Sequence, residues 1–208
     1  IFNRLYANAL GTRILQENPQ LETVFRQWNA ADKQSPLFAD QDLKISTLEE
    51  TPWLRNALNE SEQTRRIAAY FADNSMAYEQ KNTLLKLKGR QSDDGGFSWF
   101  PGGNSNWYIS LYVTEGLQDL REWVGEEYQP EIDRILEELV PFLDREVIRY
   151  YHSIEQQVEK GNAKWEDNHL SPVVCYYLKV RNPGVNHAAG ETNEVYQYFL
   201  KQAIEYWT

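Results

Sequence analysis

The chain has 208 residues and a formal net charge of −10. That length supports a sizeable core, and seven Trp, thirteen Tyr and eight Phe supply much of its apolar bulk. The acidic balance argues against nucleic acid and anionic membrane surfaces as partners. No apolar run approaches the ~18 residues of a membrane span. The single cysteine, Cys175, excludes an internal disulfide framework and a cysteine-rich zinc site. The first residue is Ile1, and no charged-then-apolar leader follows it, so the chain reads as a piece of a longer protein.

Residues 1–16 are expected to form an amphipathic helix with Phe2, Leu5, Tyr6, Ala9 and Leu10 on one face. Asn18-Pro19 ends it, because the residue before proline avoids the α region. A second helix follows over Gln20–Ala31, with Leu21, Val24, Phe25 and Trp28 inward. Residues 32–45 lack a clean period and read as a loop. Ser46–Glu49 fits a capping box, and Thr51-Pro52 a second helix start. Another helix begins at Asn59 or Ser61, and the next at Ser75, with Met76, Leu84, Leu85 and Leu87 available to a core.

That helix leads into Gln91–Leu120, which holds five of the eleven glycines. Asp93-Asp94-Gly95-Gly96 and Pro101-Gly102-Gly103 are turn signals, and glycine there admits positive φ and close backbone approach. Phe97-Ser98-Trp99-Phe100 between them is expected to plug the helical core. Asn104 or Ser105 can cap the next helix, whose stripe is Trp107, Leu111, Val113, Leu117 and Leu120. A helix from Pro130 carries Ile132, Ile135, Leu136 and Leu139 and is expected to stop at Val140-Pro141. A separate helix over Pro141–Glu159 carries Phe142, Leu143, Val147, Ile148 and Tyr151, and Gly161-Asn162 ends it. Leu170–Val180 is a compact apolar helix with Ser171 as cap and Pro172 at its first position. Arg181–Gly184 is a turn, and Glu191–Tyr206 a last helix with Val195, Phe199, Ile204 and Trp207 inward. No stretch reads as a strand, so the fold class is all-α, with helical hairpins side by side in one domain.

Gln91-x-x-Asp94-Gly95-Gly96-Phe97 resembles the Q-x-x-D-G-x-W/F turn of α/α-toroid proteins: terpenoid cyclases, prenyltransferases and the thioester domains of complement and α2-macroglobulin. The longer run from Asp94 to Leu117 is similar to the bacterial α2-macroglobulin family. So are the opening IFNRLYANAL and the block Leu48–Phe71, in the same order. The likeness covers roughly residues 1–125, and 126–208 only in general pattern.

The resemblance implies an α/α toroid, incomplete if the piece stops short of closing the ring. It assigns Gln91, Asp94, Gly95, Gly96 and Phe97 to a structural turn, with Asp94 bracing it. In thioester-containing members a Cys-x-Glu-Gln segment directly precedes the IFNRLYANAL-like helix, and its Cys and Gln side chains form an internal thioester. No such motif occurs in residues 1–208, and Cys175 is followed by Tyr176-Tyr177, so the reactive group is expected just before Ile1 if it exists. A thioester needs shielding from water, and Trp99, Phe100, Trp107 and Tyr108 are the candidate wall. The implied function is protease trapping outside the cytoplasm, in the periplasm or cell envelope. The implied partners are target proteases and other domains of the same chain. No cofactor, no turnover catalysis and no nucleic acid are expected.

Other chemistry finds less support in the residues. Asp93-Asp94 reads as turn capping. Neither a D-x-D-D nor a D-D-x-x-D motif is present, as a terpenoid cyclase would need. Cys175 lies in an apolar run and reads as a core thiol. His152, His169 and His187 lack metal-ligand spacing, and none maps onto the histidine that activates some complement thioesters. Glu49-Glu50, Glu126-Glu127 and Glu137-Glu138 read as solvated faces. Two alternatives stay open. One is a carbohydrate-active enzyme with the same aromatics lining a sugar cleft between two carboxylates. The other is a helical scaffold that only binds protein partners.

Overall fold

A computed structural model describes residues 1–30, 75–181 and 190–206. The expectations for residues 31–74, the turn beyond Arg181, His187 and Trp207 lie outside the described residues, as do those for the Phe25, Trp28 and Met76 side chains. Among the described residues the chain is all-α, with seven α-helices, one short 3-10 turn and no strand. The α-helices are α1 (Phe2–Glu17), α2 (Pro19–Ala30), α3 (Ser75–Lys88), α4 (Trp107–Trp123), α5 (Gln129–Glu159), α6 (Pro172–Val180) and α7 (Glu191–Tyr206). They divide between two compact units, Asn3–Thr83 and Ile1–Phe2 with Leu84–Thr208.

In the Asn3–Thr83 unit, α1 ends where Asn18 meets Pro19, as the sequence predicts. The Asn18 side chain donates to the Ile14 carbonyl at 3.0 Å, and its own carbonyl accepts from Leu21 N at 2.9 Å, starting α2. The buried stripe of α1 is Leu5, Asn8 and Ala9, whereas Leu10 is exposed and Tyr6 half-buried. A stripe through positions 5, 8 and 9 leaves position 10 a further 100° around the helix, which carries Leu10 outward. Leu21 of α2 is likewise exposed and Val24 half-buried. Gln80 of α3 donates to Thr12 Oγ1 at 2.9 Å, and Thr12 donates in turn to the Asn8 carbonyl at 3.0 Å.

In the other unit, α5 and α6 each pack against both α4 and α7, and against one another. Leu111, Leu117 and Leu120 of α4 meet a core shared with Ile132, Ile135, Leu139 and Leu143 of α5, all fully buried. Val174 and Tyr177 of α6 and Val195, Tyr196 and Phe199 of α7 complete it. Each such aliphatic side chain contributes roughly 1.5–3 kcal/mol of burial free energy. Leu136, Ile148 and Tyr151 are half-buried, while Leu85 of α3 and Ile204 of α7 are exposed. Gln202 takes the inward place on the last turn of α7, at helical spacing from Val195 and Phe199.

The largest departure from expectation is α5, one continuous helix of 31 residues with Pro141 inside it. Its apolar stripe runs on in phase from Ile132 and Leu139 through Phe142, Leu143 and Val147 to Ile154. Pro141 and Glu137, the residue whose carbonyl loses its N–H partner, are both exposed. The roughly 3 kcal/mol cost of an internal proline therefore falls on the solvent side, where water hydrates the carbonyl, and core burial outweighs it. Gly161, with φ +73°, ends the helix as expected. Ser171 caps α6 by accepting from Val174 N at 3.3 Å, with Pro172 first in the helix.

A buried ion pair joins α5 to the end of α6. Arg181, 3% exposed, donates Nε and Nη2 to the two Asp144 carboxylate oxygens, each at 3.0 Å. The Tyr177 hydroxyl donates to Asp144 at 2.7 Å, and burial together with the Asp144 charge pushes its pKa well up. Asp144→Ala would leave the Arg181 guanidinium buried without its counter-ion. It should cost about 3–5 kcal/mol in urea unfolding, and the double variant Asp144→Leu/Arg181→Met should lose markedly less.

Candidate functional site: the glycine loop

The turn after α3 is held by backbone–backbone and side-chain hydrogen bonds together. Gly95 N donates to the Ser92 carbonyl at 2.8 Å, and Ser92 N to the Gly96 carbonyl at 2.9 Å. Gln91 Nε2 reaches two carbonyls, Gly95 at 2.8 Å and Ile135 of α5 at 3.0 Å. Its Oε1 accepts from Lys88 at 3.0 Å, and Lys88 also pairs with Glu138 of α5 at 2.6 Å. Asp94 Oδ1 accepts from Gly96 N at 3.0 Å and from the Ser105 hydroxyl at 2.6 Å. Gln91 and Asp94 thus hold the turn.

Both glycines are required. Gly95 has φ +88°, and a Cβ there would lie 2.2 Å from the Glu138 carbonyl oxygen. A Cβ on Gly96 would lie 2.8 Å from the Phe142 ring. Phe97 is buried, its N–H donating to Ser110 Oγ at 2.9 Å, and its carbonyl accepts from Asn106 N at 2.8 Å. That last bond closes the base of a loop over residues 98–105. Asn106, rather than Asn104 or Ser105, caps α4, accepting from Ile109 N at 3.0 Å. Asp94 has already taken the Ser105 hydroxyl.

The loop does not plug the core as the sequence suggests: Phe97 alone turns in, while Trp99 is 61% and Phe100 76% exposed. Trp99 and Phe100 lie in the loop whose base the Asn106–Phe97 bond closes. Gly103 N and the Ser98 hydroxyl both donate to the Phe100 carbonyl, at 3.1 and 2.6 Å. Trp99 lies nearly parallel to Tyr108, with ring centroids 6.5 Å apart and an interplanar angle of 16°. Tyr108 in turn meets Tyr176 of α6 at 5.8 Å. Trp107 faces the other way, toward Tyr150 and Tyr177 at 6.1 and 6.5 Å. The four wall candidates are therefore divided, with Trp99, Phe100 and Tyr108 exposed and Trp107 packed toward the core.

Trp99 and Phe100 border a pocket of about 540 Å3, together with Ile1, Phe2, Pro101 and Val113. Trp107 and Tyr108 do not line it. Ile1 and Phe2 were not legible as site residues. Their signal is Gly116 inside α4, because the Phe2 ring occupies the space where a Cβ would stand. Phe2 also meets Tyr112 edge-on at 5.3 Å. On the other side of the loop lies a polar pocket of about 460 Å3, bordered by Asp93, Asn104, Arg145 and Arg149.

A polar group backs the aromatic row. The Tyr176 hydroxyl donates to Glu115, and Lys179 pairs with the same carboxylate at 2.5 Å. Burial alone would raise the Glu115 carboxyl, but hydrogen bonds from Lys179 and Tyr176 outweigh it and hold the carboxyl below its ordinary range. Burial and then the Glu115 hydrogen bond push the Tyr176 hydroxyl up.

The remaining candidates stand apart. His152 pairs with Glu191 at 2.7 Å on an exposed face, and the His169 ring meets the Lys164 carbonyl at 2.7 Å. Cys175 is half-buried rather than a core thiol, because it sits beside the inward Val174 on α6. Among the described residues no three His, Cys, Asp or Glu side chains group so as to hold a metal ion. Among them also, no helix is long and apolar enough to cross a membrane. No protein-family model, curated protein or solved structure matches the chain.

Gly95→Ala adds left-handed backbone strain of about 1–2 kcal/mol and a backbone clash of about 1–3 kcal/mol. Urea unfolding should show the loss. Glu115 has a folded pKa below its unfolded value, so its contribution is present above about pH 4.3 and lost as pH falls through the folded pKa. Thermal melts of wild type and Glu115→Gln should therefore differ most near neutrality and converge in acid.

Proposed function

We propose that the chain is part of the thioester domain of a bacterial α2-macroglobulin-like protease inhibitor, its helices belonging to an α/α toroid. The observation that carries this reading is the placement of Ile1 and Phe2 on the same pocket as Trp99, Phe100 and Pro101. The resemblance puts a Cys-x-Glu-Gln segment immediately before Ile1. A segment running into Ile1 emerges beside this aromatic loop, which the Gln91–Phe97 turn fixes in place.

The chemistry follows from what a thioester needs. Its carbonyl carbon is attacked by water unless apolar groups exclude solvent. In this reading Trp99 and Phe100 are the excluding groups, and Tyr108 supports Trp99 from behind. Cleavage of a bait segment elsewhere in the parent protein uncovers the site. A lysine amine of the attacking protease then adds to the carbonyl carbon. An amide bond forms, the carbon–sulfur bond breaks, and the cysteine leaves as a thiol. The event is stoichiometric, so the protein acts as a trap and not as an enzyme. Its place of work is the periplasm or cell envelope, and its partners are proteases and the other domains of its own chain.

The test uses the parent protein with the residues before Ile1 intact. Treatment with methylamine should add one methylamine by mass and release one thiol. A folded protein that gains neither removes the covalent trap. Given an adduct in wild type, Trp99→Ala should speed methylamine uptake about tenfold, the equivalent of ~1.4 kcal/mol of lost protection. An unchanged rate would take Trp99 out of the shield.

A further inference from the structure

Arg145 of α5 touches the glycine turn from the side opposite the aromatic pocket. Its guanidinium carbon lies 6.0 Å from the centroid of the Phe142 ring, and Nη2 donates to the Asp94 carbonyl. The Phe142 ring is the surface on which Gly96 rests. One turn of α5 therefore grips the glycine turn with a ring and a cation together.

Asp94 passes that grip along the chain. While its carbonyl accepts from Arg145, its carboxylate accepts from Gly96 N and from the Ser105 hydroxyl. Ser105 is the last loop residue before the Asn106 cap, so Asp94 ties the two limbs of the loop together. Neighbouring charges are engaged elsewhere: Glu146 with Arg149 at 2.6 Å, and Glu138 with Lys88 at 2.6 Å. A guanidinium suits the place better than an ammonium, because it can meet an aromatic ring and donate an N–H to a carbonyl at the same time.

We propose that Arg145 is a positioning residue of the glycine loop, setting through Asp94 and Ser105 where Trp99 and Phe100 stand at the pocket mouth. Resting on the thioester reading, this makes Arg145 a determinant of how long the thioester survives, although Arg145 does not line the pocket.

The test compares the parent protein as wild type, Arg145→Ala, Arg145→Lys and, as control, Arg149→Ala. Two readouts are taken: amide hydrogen exchange across Gly95–Asn106 and the rate of methylamine uptake. Arg145→Ala should raise exchange in that segment about tenfold and raise methylamine uptake several-fold. Arg145→Lys should recover part of both, because its ammonium still reaches the Asp94 carbonyl. Arg149→Ala should behave as wild type. Exchange in Arg145→Ala that stays at the wild-type level, or rises equally throughout the chain, overturns the proposal. If wild type takes up no methylamine, the trapping reading fails by itself, and the exchange contrast still decides the role of Arg145.

Discussion

The approach of the Gly95 backbone to the Glu138 carbonyl is the constraint around which the larger unit is arranged. Only a residue without Cβ, in a left-handed conformation, lets the turn come this near to α5. At that distance Gln91 spans to the Ile135 carbonyl and Asp94 reaches Ser105. The Phe142 ring then closes over Gly96. These are mostly neutral hydrogen bonds, each contributing about 0.5–1.5 kcal/mol net. Their effect is geometric: they define where the loop of residues 98–105 begins and ends.

The aromatic residues around this turn divide by role. Phe97 and Trp107 face inward and belong to the packing of α4. Trp99 and Phe100, two and three residues beyond Phe97, are carried outward by a loop whose base is already closed. Both rings stay exposed although the loop that carries them is fastened at its base. The Tyr108–Tyr176–Glu115–Lys179 chain strengthens the contrast, since a hydroxyl and a salt bridge hold the supporting rings in place.

Much of this was legible in the residues. Ser171-Pro172 and Gly161 mark helix ends by local chemistry, and the stripes of α4 and α5 follow from spacing alone. The Gln91–Phe97 turn was readable because its bonds are mostly short in sequence. The continuity of α5 was not: a proline is tolerated only if its orphaned carbonyl faces water, which depends on which side is buried. Asn106 and Ser105 are equally good caps by type, and the choice falls to Asp94, eleven residues before Ser105. The Asp144–Arg181 pair, 37 residues apart in sequence, forms only once α5 and the end of α6 are packed together. The exposure of Trp99 and Phe100 reverses an expectation from hydrophobicity, because hydrophobicity does not register that the loop base closes behind Phe97.

The span of the Gln91–Ile135 bond, 44 residues, also bears on how the protein assembles. During synthesis the glycine loop and all of α4 are made before α5. Until α5 forms, Gln91 lacks its distant carbonyl and Gly96 lacks the ring it rests on. Bonds within the turn, such as Asp94 to Gly96, can form early because the loop they close is short. The tie to α5 comes only with a long-range encounter. The loop carrying the exposed Trp99 and Phe100 is therefore fastened to the rest of the unit only once α5 has been made. A nascent chain held at that stage would present Trp99 and Phe100 on a loose strap, the form most open to chaperone capture.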